Sequence, residues 1–123
     1  MHVVLVEDDD VIRDTLSEVL LEGDLDVSTH ATAEAALSHE HEPPAVLITD
    51  INLGSGMNGL ELALVAQRQW PLISIVFITG EPWRVDPSHL RSADRCLFKP
   101  FKASALLQAV YDVTSSPLRP RRV

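Results

Sequence analysis

Short runs of apolar, often β-branched residues alternate along the chain with longer segments in which apolar residues recur at helical spacing. The short runs predict buried strands, because apolar runs bounded by turn-forming residues suit a sheet that is covered on both faces. The predicted strands cover residues 3–6, 26–30, 45–50, 73–78 and 95–98. The predicted helices cover residues 11–22, 33–42, 59–70 and 102–113.

Strands that alternate with helices predict an α/β fold, with one parallel sheet and right-handed crossovers. Local signals place some of the boundaries. Asp10 is expected to be the N-cap of the first helix, and Gly23 is expected to end that helix in a left-handed conformation. Between the last two strands, Pro82 and Pro87 remove helical hydrogen bonds, so we expect only a short helix there, over residues 87–93.

Polar residues stand at the carboxyl ends of four predicted strands, namely Glu7 and Asp8, Asp50, Thr79, and Lys99. These ends meet at one edge of a parallel sheet, where such folds bind ligands. Acids brought together repel one another unless a cation lies among them, and Mg²⁺ prefers oxygen ligands. Lys99 and Thr79 would offer a positive charge and a hydrogen-bond donor to a phosphoryl group. A simpler interpretation, in which Asp50 only caps the next turn, leaves the other strand ends unexplained.

Composition and charge limit the classes of protein. The 123 residues suffice for one domain with a core. A net charge of −8 argues against nucleic acid as a direct partner, and no apolar stretch is long enough for a membrane. Met1 leads directly into the first strand, so we expect no signal peptide. The single cysteine, Cys96, cannot form an internal disulfide, which favours a reducing, cytoplasmic location.

The strand-end motifs resemble those of the receiver domain of two-component response regulators. The motifs are Glu7-Asp8, Asp50, Thr79-Gly80 and Lys99-Pro100-Phe101. The resemblance covers residues 1–113 and implies a flavodoxin-like (βα)₅ fold, with five parallel strands in the order 2-1-3-4-5 and helices on both faces. We expect residues 114–123 to form a short, disordered, basic tail.

The resemblance also implies a mechanism. A histidine kinase or a phosphotransfer protein would transfer a phosphoryl group to Asp50, and Lys99 and Thr79 would hold its oxygens. By similarity, Asp8 and Asp50 would bind Mg²⁺ (or Mn²⁺), together with Glu7 through water and the backbone carbonyl of Asn52. In the family the peptide bond between the lysine and Pro100 is usually cis. Such a protein is a self-phosphorylating and self-dephosphorylating switch rather than a turnover enzyme.

The chain departs from the family pattern at positions that affect switching. Cys96 occupies the place of an aromatic residue whose rotation usually reports activation, and we expect it to be a packed core residue. The loop at residues 53–57 is one residue longer than usual, and the segment between Thr79 and Lys99 is shorter. We therefore expect activation to be read from residues 81–93.

Three residues near Thr79 are expected to influence the switch, namely Gly80, Glu81 and Trp83. Trp83 lies four residues after Thr79 and would move as the threonine engages phosphate, or else it is a static packing residue. Asn52 and Glu81 resemble the pair found in fast-resetting chemotaxis receivers, which implies a short-lived acyl phosphate.

Several alternatives stay open. Within the family, the chain is a single-domain regulator acting through contacts with an unidentified output protein, a phosphorelay intermediate or phosphate sink, or a piece of a hybrid kinase. Its oligomeric state is open between a monomer and a weak dimer. A magnesium-dependent phosphatase with an aspartyl nucleophile would carry an acid where this chain has Asn52. A flavin or nucleotide binder would need a phosphate-binding loop where the chain has the acids of residues 7–10.

Overall fold

The structure is a computed structural model of the chain, and it describes residues 1–38, 42–54, 56–81, 83, 85–86, 88, 90–91 and 93–114. Within these ranges the strands are β1 (His2–Val6), β2 (Asp26–His30), β3 (Val46–Asp50), β4 (Ser74–Thr79) and β5 (Arg95–Phe98). The helices are α1 (Asp10–Glu22), α2 (Ala33–Ser38), α3 (Gly59–Gln69) and α4 (Ala103–Thr114). No helix among the described residues is long and apolar enough to cross a bilayer.

The five strands form one parallel sheet in the order β2-β1-β3-β4-β5, which confirms the predicted fold class. The register sets the positions of the polar strand ends. Asp50 pairs with Ile78, and Thr79 pairs with Phe98. Lys99, one residue beyond β5, donates its backbone N–H to the carbonyl of Thr79. The ends of the three strands therefore lie at the same edge of the sheet.

Alternate residues of each central strand face opposite sides of the sheet and enter two separate cores. One core packs α1 and α4 against the sheet through Leu16, Leu20, Leu106 and Val110. The other core packs α2 and α3 against the opposite face. The strand residues that enter the first core are Val3, Leu5, Val46, Ile48, Val76 and Ile78, and those that enter the second are Val4, Val6, Leu47, Ile75 and Phe77. Because β1, β3 and β4 are buried on both faces, they read as continuous apolar runs.

Helix α1 ends at Glu22 with Gly23 as its C-cap, as predicted, but its N-cap and the conformation of Gly23 differ from the prediction. The N-cap is Asp9, whose extended backbone lets its side chain accept a hydrogen bond from the N–H of Ile12, whereas Asp10 is already helical and pairs with Arg13. Gly23 has a φ of −84°, and the left-handed residue is Asp24, with a φ of 62°. Aspartate tolerates that conformation because its short polar side chain can bond locally.

The segment between β4 and β5 is anchored where it joins β5. The guanidinium of Arg91 donates hydrogen bonds to both carboxylate oxygens of Asp94 and to the carbonyl of Ile73. The short helix expected over residues 87–93 falls partly outside the described residues, because 87, 89 and 92 are not among them. The expected tail also lies outside them from residue 115 onward, and α4 ends at Thr114, one residue later than predicted.

Candidate functional site

An open cavity of about 370 Å³ lies at the carboxyl edge of the sheet. The residues that line it are Glu7, Asp8, Asp9, Ile12, Asp50, Asn52, Gly54, Thr79, Gly80, Glu81 and Lys99. The cavity therefore brings together all five residues that were expected to converge from the strand ends. The same edge also holds Asn52, Gly80 and Glu81, which the resemblance to receivers singled out.

Three acids form a compact cluster in this cavity. Glu7, Asp8 and Asp50 each offer a carboxylate oxygen, and the three oxygens lie within 4.8 Å of one another. Glu7 and Asp50 are buried, with exposed fractions of 1% and 7%, whereas Asp8 is exposed. Like charges at this spacing repel, and burial strengthens the repulsion because less water screens it. The cluster therefore requires a positive charge or a proton nearby.

Lys99 supplies a positive charge to two of these acids. Its Nζ donates a hydrogen bond of 2.6 Å to Oδ2 of Asp50 and another of 3.3 Å to Oε1 of Glu7. Burial by itself would lower the pKa of Lys99, but the hydrogen bond and charge of Asp50, followed by those of Glu7, raise the pKa overall. Lys99 therefore stays protonated at neutral pH. The Lys99–Pro100 peptide bond is cis, as the resemblance implied.

Glu7 retains unused capacity to bind a cation. Its Oε2 atom is buried and accepts no hydrogen bond from the described residues. The pKa of Glu7 is raised to about 7, first by burial and then by Asp50, which accepts a hydrogen bond from the protonated form of Glu7 and repels its charged form. Lys99 opposes the rise. A divalent cation would relieve both the burial penalty and the repulsion. The three carboxylates are also the hard oxygen ligands that Mg²⁺ prefers, so the residues present fit such an ion.

Thr79 adds a hydroxyl group to the same cavity. It is 2% exposed, and its Oγ1 accepts a hydrogen bond of 2.9 Å from the N–H of Glu81. Because the oxygen is the acceptor in this bond, the hydroxyl hydrogen can still be donated to a ligand. Gly80, the next residue, is exposed, and a Cβ built there would meet no atom within 4 Å.

The Asp50 side chain and backbone are held by the residues that follow. The N–H of Asn52 donates a 2.9 Å hydrogen bond to Oδ1 of Asp50, leaving Oδ2 to Lys99. Gly59 begins α3 with its backbone pressed against the Asp50 carbonyl, so that a Cβ at Gly59 would overlap the carbonyl oxygen. Sequence reasoning placed Gly59 only at a helix start. The missed signal was a glycine at a helix N-terminus close after a strand-end acid, which admits close backbone packing.

The two residues linked to switching have different surroundings. Cys96 is half-buried and packs against the core on the α2 and α3 side, as expected, and burial raises the pKa of its thiol. The side chain of Trp83 is 78% exposed, which does not fit the alternative that it is a static packing residue.

Comparison with known proteins identifies the family. The family model of the response regulator receiver domain matches residues 3–111 of this chain. The chain is 35% identical over 111 residues to the response regulator protein FleR of Pseudomonas aeruginosa, covering 88% of this chain and 23% of that protein. It is 30% identical over 114 residues to the transcriptional regulatory protein FixJ of Azorhizobium caulinodans, covering 89% of this chain and 53% of that protein. The chain thus spans about a quarter and about half of the lengths of these two relatives.

Solved structures agree with this result. NtrX from Brucella abortus superposes with a TM-score of 0.81 at 27% identity, covering 92% of this chain and 26% of that chain. A response regulator receiver protein from Sinorhizobium medicae superposes with a TM-score of 0.81 at 21% identity, over 94% and 95% of the two chains, which shows a shared fold. Because the family model matches residues 3–111, the chain belongs to the family of response regulator receiver domains.

Proposed function

We propose that this receiver accepts a phosphoryl group on Asp50 in a magnesium-dependent reaction, and that it then signals through contacts with other proteins. The observation that carries the proposal is the position of Asp50. Its carboxylate lies in an open cavity, within 4.8 Å of two other acids and in contact with the Lys99 ammonium. A carboxylate that only capped a turn would not need either neighbour.

The donor would be a phosphohistidine on a histidine kinase or on a phosphotransfer protein, met in the cytoplasm. A carboxylate oxygen of Asp50 would form a bond to phosphorus as the phosphorus–nitrogen bond breaks, and the electron pair of that bond would leave with the imidazole. The product is an acyl phosphate, and its hydrolysis would return the free carboxylate. The receiver would thus be modified and reset as a switch, without turning over a separate substrate.

The side chains that would hold the cation are Glu7, Asp8 and Asp50, with the backbone carbonyl of Asn52. When bound, Mg²⁺ (or Mn²⁺) would supply positive charge that offsets the negative charge gathered at the transferred group. Lys99, already on Oδ2 of Asp50, would hold a phosphoryl oxygen attached to that carboxylate. The Thr79 hydroxyl would donate to a second oxygen, and Asn52 and Glu81, which line the cavity, would influence attack by water.

Two ligand responses test the proposal. Beryllofluoride with Mg²⁺, which imitates an acyl phosphate, should change the tryptophan fluorescence, whereas flavins and nucleotides should not. Mg²⁺ alone should raise the melting temperature, because a ligand present at about 100 times its dissociation constant stabilises the folded state by about 2.7 kcal/mol. The rise should be largely lost in Asp8→Ala and kept in Asp14→Ala, which removes an exposed acid of α1.

An equal rise in both variants would place the ion elsewhere. A response to flavin or nucleotide would favour a different class of protein. The phosphatase alternative has no support in the cavity, because Asn52 stands at the position where those enzymes carry an acid, and an amide cannot serve as a general acid.

A further inference from the structure

The loop between β3 and α3 runs between two carboxylates that belong to other parts of the fold. Gly54, with a φ of 75°, lies over Asp8, and a Cβ at Gly54 would be 3.5 Å from Oδ2 of Asp8. Gly56, with a φ of 85°, lies over Glu34, and a Cβ at Gly56 would be 3.2 Å from both carboxylate oxygens of Glu34. One end of the loop therefore touches the acidic cluster, and the other touches α2.

Glu34 also makes a direct hydrogen bond to this loop. Its Oε2 accepts a bond of 3.0 Å from the backbone N–H of Met57, a residue 23 positions further along the chain. This bond lowers the pKa of Glu34 below its ordinary value. The carboxylate is therefore ionised at neutral pH, and an ionised acceptor makes a stronger hydrogen bond than a neutral one.

Neighbouring N–H groups of the loop are bonded from within the loop and α3. The N–H of Asn52 donates to Asp50, and that of Gly54 donates to the side chain of Asn52. Asn58 and Glu61 form a reciprocal capping box at the start of α3. At Met57 the acceptor comes instead from α2, so this bond ties the loop to a separate element of the fold.

From these contacts we infer that Glu34 is a positioning residue, which holds the loop carrying Asn52 and Gly54 over the acidic cluster and so strengthens divalent-cation binding there. The inference rests on the proposed function, because it assigns Glu34 a part in the magnesium site. Without the bond to Met57, Gly54, Gly56 and Met57 would sample more conformations, and cation binding would have to order them first.

Three variants test this inference. Glu34→Ala removes the acceptor, and Glu34→Gln keeps a side-chain carbonyl for the Met57 N–H while removing the charge. Glu18→Ala is the matched control, because it removes another exposed glutamate of the same charge, from α1. Amide exchange at Met57 is measured in metal-free protein, the Mg²⁺ dissociation constant by calorimetry, and the phosphorylation rate with a small phosphodonor at saturating Mg²⁺.

Glu34→Ala should lose protection at Met57 and bind Mg²⁺ about tenfold more weakly, near the low end of the effect of outer partners on metal affinity, since Glu34 is exposed. Its phosphorylation rate at saturating Mg²⁺ should return to the wild-type value, because the reacting groups are intact. Glu34→Gln should lie between wild type and Glu34→Ala in exchange and in affinity, because its amide carbonyl keeps the bond to Met57 with a neutral acceptor. Glu18→Ala should change neither.

Two results would overturn the inference. In one, Glu34→Ala loses protection at Met57 yet binds Mg²⁺ as tightly as Glu18→Ala, which would make the contact purely structural. In the other, Glu34→Gln binds Mg²⁺ as weakly as Glu34→Ala, which would assign the effect to charge rather than to the loop. A wild type that binds Mg²⁺ but takes up no phosphoryl group would contradict the proposed function alone, since exchange and affinity would still decide the role of Glu34.

Discussion

The ammonium group of Lys99 lies 2.6 Å from Oδ2 of Asp50, although the two residues are 49 positions apart in the chain. The contact exists because the parallel register brings the ends of β3 and β5 to the same edge of the sheet. The same ammonium reaches Glu7, so one cation partly neutralises two buried acids. In the absence of a metal, Lys99 is therefore a stabilising residue of the acidic cluster.

Replacing Lys99 should destabilise the metal-free protein. Lys99→Met would leave Glu7 and Asp50 without their shared donor, and an unsatisfied buried polar group costs about 1–3 kcal/mol. Urea unfolding in the presence of a chelator measures the loss. Lys102→Met, which removes an exposed lysine near the start of α4, is the control and should change stability little. If Asp50→Asn is added to Lys99→Met, the combined loss should be smaller than the sum of the two single losses.

The raised pKa of Glu7 predicts a specific dependence of stability on pH in metal-free protein. The folded state holds the Glu7 proton up to about pH 7, whereas the unfolded chain releases it near pH 4.5. The stabilisation that the bound proton of Glu7 gives to the folded state is therefore fully present below pH 4.5, and it is lost as the pH rises through about 7. Glu7→Gln, which imitates the protonated acid, should remove this decline and be the more stable protein above pH 7. Parallel pH curves for the two proteins would contradict the assignment.

Gly59 should tolerate no side chain. Gly59→Ala would push a methyl group into the Asp50 carbonyl, and overpacking of this kind costs about 1–3 kcal/mol. Gly80→Ala is the control at the same edge of the sheet, because its methyl group would meet no atom within 4 Å. Chemical denaturation of both variants measures the difference. Equal stability of the two variants would show that the packing at Gly59 relaxes without cost.

Activation should be reported by residues 81–93 rather than by an aromatic rotation. The N–H of Glu81 is bonded to Thr79 at one end of this segment, and Arg91 is bonded to Asp94 at the other. Cys96 has no ring to rotate, and the exposed Trp83 is not fixed in the core. Amide hydrogen exchange with and without beryllofluoride should change protection within this segment. If protection changed only in residues 50–59, the prediction would be wrong and the output surface would be the β3–α3 loop.

The sequence was most informative about features that depend on periodic apolar patterns. Strands buried on both faces are short apolar runs, so β1, β3 and β4 and the polar residues at their ends could be located from the sequence. The parallel topology then predicted that Asp50, Thr79 and Lys99 lie together, as they do in the cavity. The N-cap of α1 was harder, because adjacent aspartates both suit that position, and backbone geometry selects Asp9.

Contacts between distant segments could not be predicted in the same way. The bond from Met57 to Glu34 depends on how α2 lies beside a loop 23 residues away, and an exposed helical glutamate carries no signal of it. The close approach of Gly59 to Asp50 likewise depends on the exact path of the chain between β3 and α3.

The most direct test of the central claim is the intact mass of the protein after incubation with a small-molecule phosphodonor and Mg²⁺. The account predicts that wild type gains the mass of one phosphoryl group, that a chelator prevents the gain, and that Asp50→Asn shows none. Asp14→Asn, at an exposed position of α1, should be modified like wild type. Phosphorylation of Asp50→Asn to the wild-type level would contradict the account.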